Sequence, residues 1–295
     1  MGETNKKVQI IANIIMAAAT ILILIPFILL FIASFTDSTE IALNGYSFFP
    51  KKWSMEAYAY IWTEKMQIFK AYFITIIVTA VGTTASLLIT MMYAYALSKN
   101  DFPGKKFFTM FLLFTMLFNG GLVPTYTMYT RYFHIKNTIW ALLIPSLLMG
   151  AMNVILVRSY IQNNVPASLT EAAYIDGASE YKIFGNIILP LSKPIAVVIG
   201  MFIGVGYWND WTNGLYYVTD SKFYSIQQLL NNMLKNMEFL SSNSAAAASA
   251  TGAVDIPKST VRMAIAVVGI LPILIIYPYV QKFFVKGIAL GAVKG

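Results

Sequence analysis

Cysteine is absent and histidine occurs once, at His134, in a chain of 295 residues. Without cysteine there is no disulfide, thiolate nucleophile or thiolate metal site, and the redox compartment is left open. A single histidine argues against a histidine-based metal cluster, and no metal site is expected. Charge is scarce as well. Only 12% of residues are charged, against ~25% in an ordinary soluble domain, which argues against a globular enzyme. The net charge of +8 would suit a nucleic-acid surface. The basic residues, however, are scattered at the ends of apolar runs, where membrane proteins keep them, so no nucleic-acid partner is expected.

What the chain does have is apolar length. Hydrophobic residues make up 58% of it, in recurring runs of about the ~20 residues that cross a ~30 Å hydrocarbon layer. Spans are predicted at 9–35, 70–97, 107–130, 138–161, 194–216 and 261–285, giving an all-α, six-helix integral membrane protein with one domain, 1–295, in contact with membrane lipid. The run from Ile10 to Phe35 exceeds the 7–15 residues of a cleaved signal's apolar core, so it is read as a span. Asn119-Gly120-Gly121 and Pro124 interrupt the third span. A broken helix at membrane depth is tolerated only where protein or a watery cavity covers the freed backbone, so this break marks either a translocation path or a packing contact. Lys6, Lys7, Lys99, Lys105, Lys106, Lys282, Lys286 and Lys294 lie on one side and only Arg131 and Lys136 in the other short connection. That bias predicts cytoplasmic N- and C-termini in a multi-pass protein.

Three longer connections remain. Residues 36–68, with Trp53, Tyr58, Tyr60 and Trp62, read as an outer interfacial cap. Residues 217–260 form a second outer loop whose Ser241–Gly252 part is low in complexity. The inner connection, 162–193, is full of helix punctuation. Ser168-Leu169-Thr170-Glu171 has the form of a capping box, Asp176-Gly177 of a helix stop, and a second helical stretch from about Ser179 ends at Leu189-Pro190. On these residues alone, the loop is either an ordinary interfacial helix or a docking element.

The spacing within that loop is specific. Glu171-Ala172-Ala173, Gly177, Ile187 and Leu189-Pro190, extended by Asp176 and Ala178, match the EAA loop of binding-protein-dependent ABC importer permeases. Gly120–Tyr126, Trp208–Trp211, Ile226–Leu230 and Tyr277–Gly287 resemble segments of the maltose-permease-like members, in the first carbohydrate-uptake family. The resemblance covers about residues 70–295. It implies a bacterial cell (inner or plasma) membrane location and a cytoplasmic coupling helix whose residues Glu171, Ala172, Ala173, Asp176, Gly177, Ala178, Ile187, Leu189 and Pro190 meet an ATPase. It further implies a homologous second permease in a heterodimer, two ATP-binding subunits that use ATP and Mg, an extracytoplasmic solute-binding protein, and no cofactor on this chain. Transport would be by alternating access, with an oligosaccharide such as an alginate or rhamnogalacturonan fragment as the solute.

Two other classes are compatible with a chain of this composition. In Gly252–Ser259, which approaches a phosphate-binding loop, Pro257 occupies the place of a required glycine and has no N–H for a phosphate. Energy therefore enters through other subunits or an ion gradient, and an ion-coupled sugar carrier is the alternative. Charge-free span cores disfavour a proton relay, though sodium can be held by backbone carbonyls. A membrane hydrolase would need converging acid, base and nucleophile, and no catalytic residue is expected. Asn119, Asn153, Tyr207, Trp208 and Asn209 are candidates for the solute path, since sugars have polar rims and apolar faces. Each can equally bridge helices or sit in the interfacial belt.

Overall fold

The computed structural model describes residues 6–242 and 258–292. Residues 252–257 of the Gly252–Ser259 motif and most of Ser241–Gly252 lie outside them. Among the described residues the architecture is helical, with a single isolated β-bridge, Thr36 to Trp53. The chain divides into two compact units, each assembled from two separate chain segments: Met1–Gln67 with Leu230–Leu274, and Ile68–Leu229 with Ile275–Gly295.

In the first unit, α1 (Lys6–Ser34) is apolar on every side and exposed almost throughout, as a helix meant for lipid is. Its end is tied down by Ser34, whose hydroxyl pairs with that of Tyr58 at 2.9 Å, and by Phe35 stacked on Tyr58 at 4.7 Å. Asp37 caps α2 (Ser38–Asn44) by accepting from the amides of Thr39 and Glu40, and the Glu40 carboxylate accepts from the amides of Lys51 and Lys52. α3 (Glu56–Thr63) follows, and Phe49, Trp53 and Trp62 remain exposed. This agrees with an aromatic cap at the membrane interface.

The second unit is built on α4 (Lys65–Ser98), about 50 Å long at 1.5 Å per residue. Ala71, Thr75, Val78, Gly82, Ser86 and Thr90 recur on its buried face. α5 (Lys105–Leu117) and α6 (Leu122–Thr127), the latter continued by a π-helical turn Met128–Tyr132, are bent by 115°. The third span is therefore broken where its glycines are. Asn119 Oδ1 accepts from the Gly121 amide at 2.8 Å, and Gly121 has φ +83°.

The fourth predicted span, 138–161, is not one helix. It comprises α7 (Trp140–Leu143) and α8 (Ala151–Asn164), separated by an irregular stretch in which Pro145 lacks a donor and Ser146 has φ +62°. The freed carbonyls find side-chain donors. Tyr207 Oη donates to Leu143 O at 2.8 Å, Asn213 Nδ2 to Pro145 O at 2.9 Å and Ser86 Oγ to Leu147 O at 3.3 Å. Irregular backbone at membrane depth needs such cover.

The inner connection holds α9 (Ala167–Ile175), α10 (Glu180–Ile183), a π-helical turn Phe184–Ile188 and α11 (Leu189–Leu191). After an 83° bend comes α12 (Lys193–Asn209), then α13 (Thr212–Tyr217), α14 (Ile226–Ser242) and α15 (Lys258–Ala292). The fifth span thus stops at Asn209, before the predicted 216. Among the described residues two helices are individually long and apolar enough to cross a membrane, and up to four if each bent pair is one span.

Close packing explains two of the glycines of α12. A Cβ on Gly200 would sit 3.3 Å from Leu87, and one on Gly204 3.3 Å from the Thr83 hydroxyl. A tighter approach is on α4, where a Cβ on Gly82 would lie 2.5 Å from the Tyr207 ring. That ring is 2% exposed and tethered through its hydroxyl, so it cannot swing aside. Gly82→Ala is expected to cost about 1–3 kcal/mol as overpacking, read as a lower thermal midpoint of the detergent-purified chain. An unchanged midpoint would mean that the ring yields.

Candidate functional site

α9 begins differently from its sequence expectation. The N-cap is Pro166, with no side-chain bond, and Ser168 lies inside the helix, so the Ser168–Glu171 capping box does not form. A proline with extended backbone suits the turn before a helix, and Thr170 Oγ1 instead donates to Ala167 O at 2.7 Å. Glu171 is therefore left exposed, with no hydrogen bond or ion pair among the described residues.

The end of α9 follows the helix-stop expectation in detail. Gly177 has φ +74°, the Ala178 amide donates to Ala173 O at 2.9 Å, and the Gly177 amide to Tyr174 O at 3.0 Å. These two bonds define a Schellman end. Nothing lies within 4 Å of where a Gly177 Cβ would be, so glycine is required here for its backbone conformation and not for space. Ala173 and Ala178 pack partly against the core, as do Ile187 and Leu189, while Ala172, Asp176 and Pro190 are exposed. The π-helical turn precedes Pro190, whose missing N–H interrupts the regular ladder.

The loop is joined to α4 by a polar cluster. Lys99 pairs with Glu180 and donates to the Tyr174 hydroxyl; Tyr174 in turn donates to Glu180. Tyr95 Oη donates to Glu180 Oε2 at 2.8 Å. Burial works to lower the pKa of Lys99, but its bonds to Glu180 and Tyr174 outweigh that and hold it above its ordinary value. Burial likewise pushes Glu180 up, and the bonds from Lys99, Tyr174 and Tyr95 bring it below its ordinary value. Both groups stay charged at neutral pH. Beside the cluster lies a cavity of about 510 Å³ whose lining includes Ser98, Asp101, Gln162, Thr170 and Glu171.

The solute-path candidates are dispersed. Asn119 is exposed on the α5–α6 break, and Asn153 is half-buried on α8 near Gly150. Tyr207 is buried and bonded to Leu143. Trp208 is 7% exposed, its indole N–H has no partner among the described residues, and the Tyr72 ring is 6.4 Å away. Asn209 is exposed. The sequence reading missed Tyr95, Lys99, Tyr174 and Glu180 as a group. Their partners are up to 85 residues apart, and no local spacing announces such a contact.

Residues 107–290 match the family of binding-protein-dependent transport system inner membrane components. The polygalacturonan/rhamnogalacturonan transport system permease protein YtcP of Bacillus subtilis is 35% identical, with 92% of each chain covered. The chain belongs to this permease family. Protein LplC of Bacillus subtilis is another relative, 33% identical over 92% of this chain and 90% of its own. Among solved structures, a bacterial ABC transporter involved in the import of the acidic polysaccharide alginate superposes with a TM-score of 0.79 at 27% identity, covering 96% of this chain and 99% of the other. A permease of this family is a multi-pass membrane transport component, not a catalyst, and membership favours the ATP-driven importer over the ion-coupled carrier.

Proposed function

We propose that the chain, acting as one permease domain over 1–295, forms an ATP-driven importer with a homologous second permease, two cytoplasmic ATP-binding subunits and an extracytoplasmic solute-binding protein. The single observation that carries the coupling role is α9: a short helix with a Schellman end, held to the core by Ala173 and Ala178, that presents Glu171, Ala172, Asp176 and Gly177 outward. Ile175 at the end of α9 and Tyr181 in α10 are exposed as well and offer apolar anchors to a partner. A small rigid element of this kind can pass a rigid-body movement from a partner to the flanking helices. The termini and the 162–193 loop face the cytoplasm. ATP and Mg are held by the ATPases, and this chain binds no cofactor.

The solute we assign is an acidic oligosaccharide of the polyuronate class. What supports it is that a 35% identical relative is named for polygalacturonan and rhamnogalacturonan, and that the structural neighbour imports alginate. Of the path candidates, Asn119, Asn153, Trp208 and Asn209 meet the solute; the Trp208 N–H, unpartnered among the described residues and buried in this structure, is a donor for a sugar oxygen once alternating access opens the path beside it. Tyr207 instead holds the break after Leu143.

The test uses the assembled transporter. Because the chain has no cysteine of its own, Ala172→Cys provides a single thiol, expected to crosslink to a cysteine in the ATPase. In proteoliposomes, oligogalacturonate uptake is expected to exceed that of a neutral oligosaccharide of equal length by at least about tenfold, the equivalent of one charge-assisted hydrogen bond. No crosslink sinks the coupling role; equal uptake sinks the polyuronate assignment.

A further inference from the structure

We infer that Tyr95, Lys99, Tyr174 and Glu180 form a rigid polar link that makes the cytoplasmic end of α4 travel with the coupling loop. These are positioning residues for transport, and their role rests on the coupling function of α9 proposed above. The Glu180 carboxylate opens α10 and receives three donors from separate places in the chain: Tyr95 within α4, Lys99 just after it, and Tyr174 near the end of α9. Tyr95 and Lys99, one helical turn apart, thus converge on one acceptor.

Aromatic faces reinforce the arrangement. The Lys99 ammonium lies 4.9 Å from the Tyr95 ring centroid and 5.2 Å from that of Tyr174, within cation–π range, and the Tyr95 ring is 5.6 Å from Phe184 in the π-helical turn. Gln162 Nε2 adds a bond from α8 to Ser98 O at 3.2 Å.

An isolated surface ion pair contributes little, but this one belongs to a four-residue network. The Lys99 side chain is 18% exposed and that of Glu180 50%, so what sets the pair apart is its network: both oxygens of the Glu180 carboxylate are occupied, by Tyr95, Lys99 and Tyr174 together. What lies beside it matters equally. Between the end of α4 and α9 there is a cavity of about 510 Å³ in place of packed side chains, lined by Thr170 and Glu171 and, at its edge with the link, by Tyr95, Lys99 and Tyr174 themselves. Close-packed interiors transmit displacement and voids do not. Force passing from α9 to α4 is therefore routed through the end of α9 that carries Tyr174, and the directional bonds there fix angle as well as distance.

The test is made on the complete transporter with Met92→Cys on α4 and Ser168→Cys on α9, both exposed positions, carrying spin labels. The interlabel distance is expected to be the same in the nucleotide-free and ATP-bound states, because the two segments move as one body. In the Glu180→Gln background the distance distribution broadens and uptake falls about tenfold, as for loss of a charge-assisted contact in a partly covered network, while ATPase co-purification and basal hydrolysis are unchanged. Tyr174→Phe, which removes one donor and keeps the ring, gives the same change in smaller measure. A distance that alters on ATP binding in the parent background, or full uptake by Glu180→Gln, overturns the link. So does loss of ATPase co-purification in Glu180→Gln, which would make Glu180 a docking residue. If Ala172→Cys never reaches an ATPase in the parent transporter, the coupling role of α9 falls, independently of the label distances.

Discussion

Glu171→Lys is expected to lower uptake and solute-stimulated ATP hydrolysis by about two orders of magnitude while the chain still inserts and folds. The separation of these effects follows from what Glu171 does not do. It is exposed and makes no hydrogen bond or ion pair among the described residues, and the capping box that would have given it a structural task is absent. Its removal therefore costs α9 little, since a solvent-facing substitution away from caps and cores usually changes stability by about 0.5 kcal/mol or less. If Glu171 meets a basic group when an ATPase covers the helix, breaking that pair costs about 2–5 kcal/mol, most of it from leaving the partner charge unpaired in a dry contact. Reversal to lysine adds repulsion, so the lower end of that range already corresponds to about thirtyfold and its middle to several hundredfold. Glu171→Gln, which keeps shape and one acceptor, is expected to fall between the two. The measurements are co-purified ATPase per permease, uptake in proteoliposomes and the thermal midpoint of the detergent-purified chain. A large drop in midpoint would assign Glu171 to folding, and full uptake would remove it from the interface.

How far the site could be read in advance depended on the range of the interactions. The α9 stop was legible because it is local: Gly177 is needed for one positive φ, and the two amides that close the helix belong to Gly177 and Ala178 themselves. The break in the third span was legible for the same reason, from Asn119 to Pro124. The capping box misled because a pattern of residue types at the right spacing does not decide which residue becomes the cap. Pro166, with its fixed backbone and no N–H to leave unsatisfied, takes the end one residue before Ala167. The fourth span misled through its hydrophobicity. Residues 138–161 are apolar enough for one helix, but the chain bends at Pro145 and Ser146 because Tyr207, Asn213 and Ser86 supply donors for the carbonyls that the bend exposes. Those donors lie 60 or more residues away in sequence. The Lys99–Glu180 cluster was hidden by the same separation, and Tyr207 looked like a candidate for the solute because nothing nearby in sequence shows that its hydroxyl is already engaged.

Gln228 provides the second large effect, and it decides whether the Ile226–Leu230 segment is structural or touches the solute. The side chain is 2% exposed, and its Nε2 donates to Gly214 O at 2.9 Å and to Val218 O at 3.0 Å. Its backbone is fastened too, the Gln228 amide donating to Ser225 Oγ at 3.2 Å. A Cβ on Gly214 would lie 2.4 Å from Gln228 Oε1, so the amide fills the space that glycine leaves. Gln228→Leu removes both donors. Gly214 O keeps a bond from the Val218 amide, leaving the Val218 carbonyl as the group whose side-chain donor is lost, at about 1–3 kcal/mol. Part of that is offset, because Oε1 has no partner among the described residues and disappears with the amide. A net loss of about 2 kcal/mol is expected on the same hydrogen-bond scale. Gln228→Glu should be worse. An ionised carboxylate has no donor for either carbonyl, and it faces them in a buried site where an uncompensated charge costs several kcal/mol. The thermal midpoint in detergent is therefore expected to fall from the parent chain to Gln228→Leu and further to Gln228→Glu, with uptake falling in parallel with folded protein. If Gln228→Leu instead keeps the parent midpoint and loses uptake, the segment contacts the solute, and the buried amide is part of the translocation path.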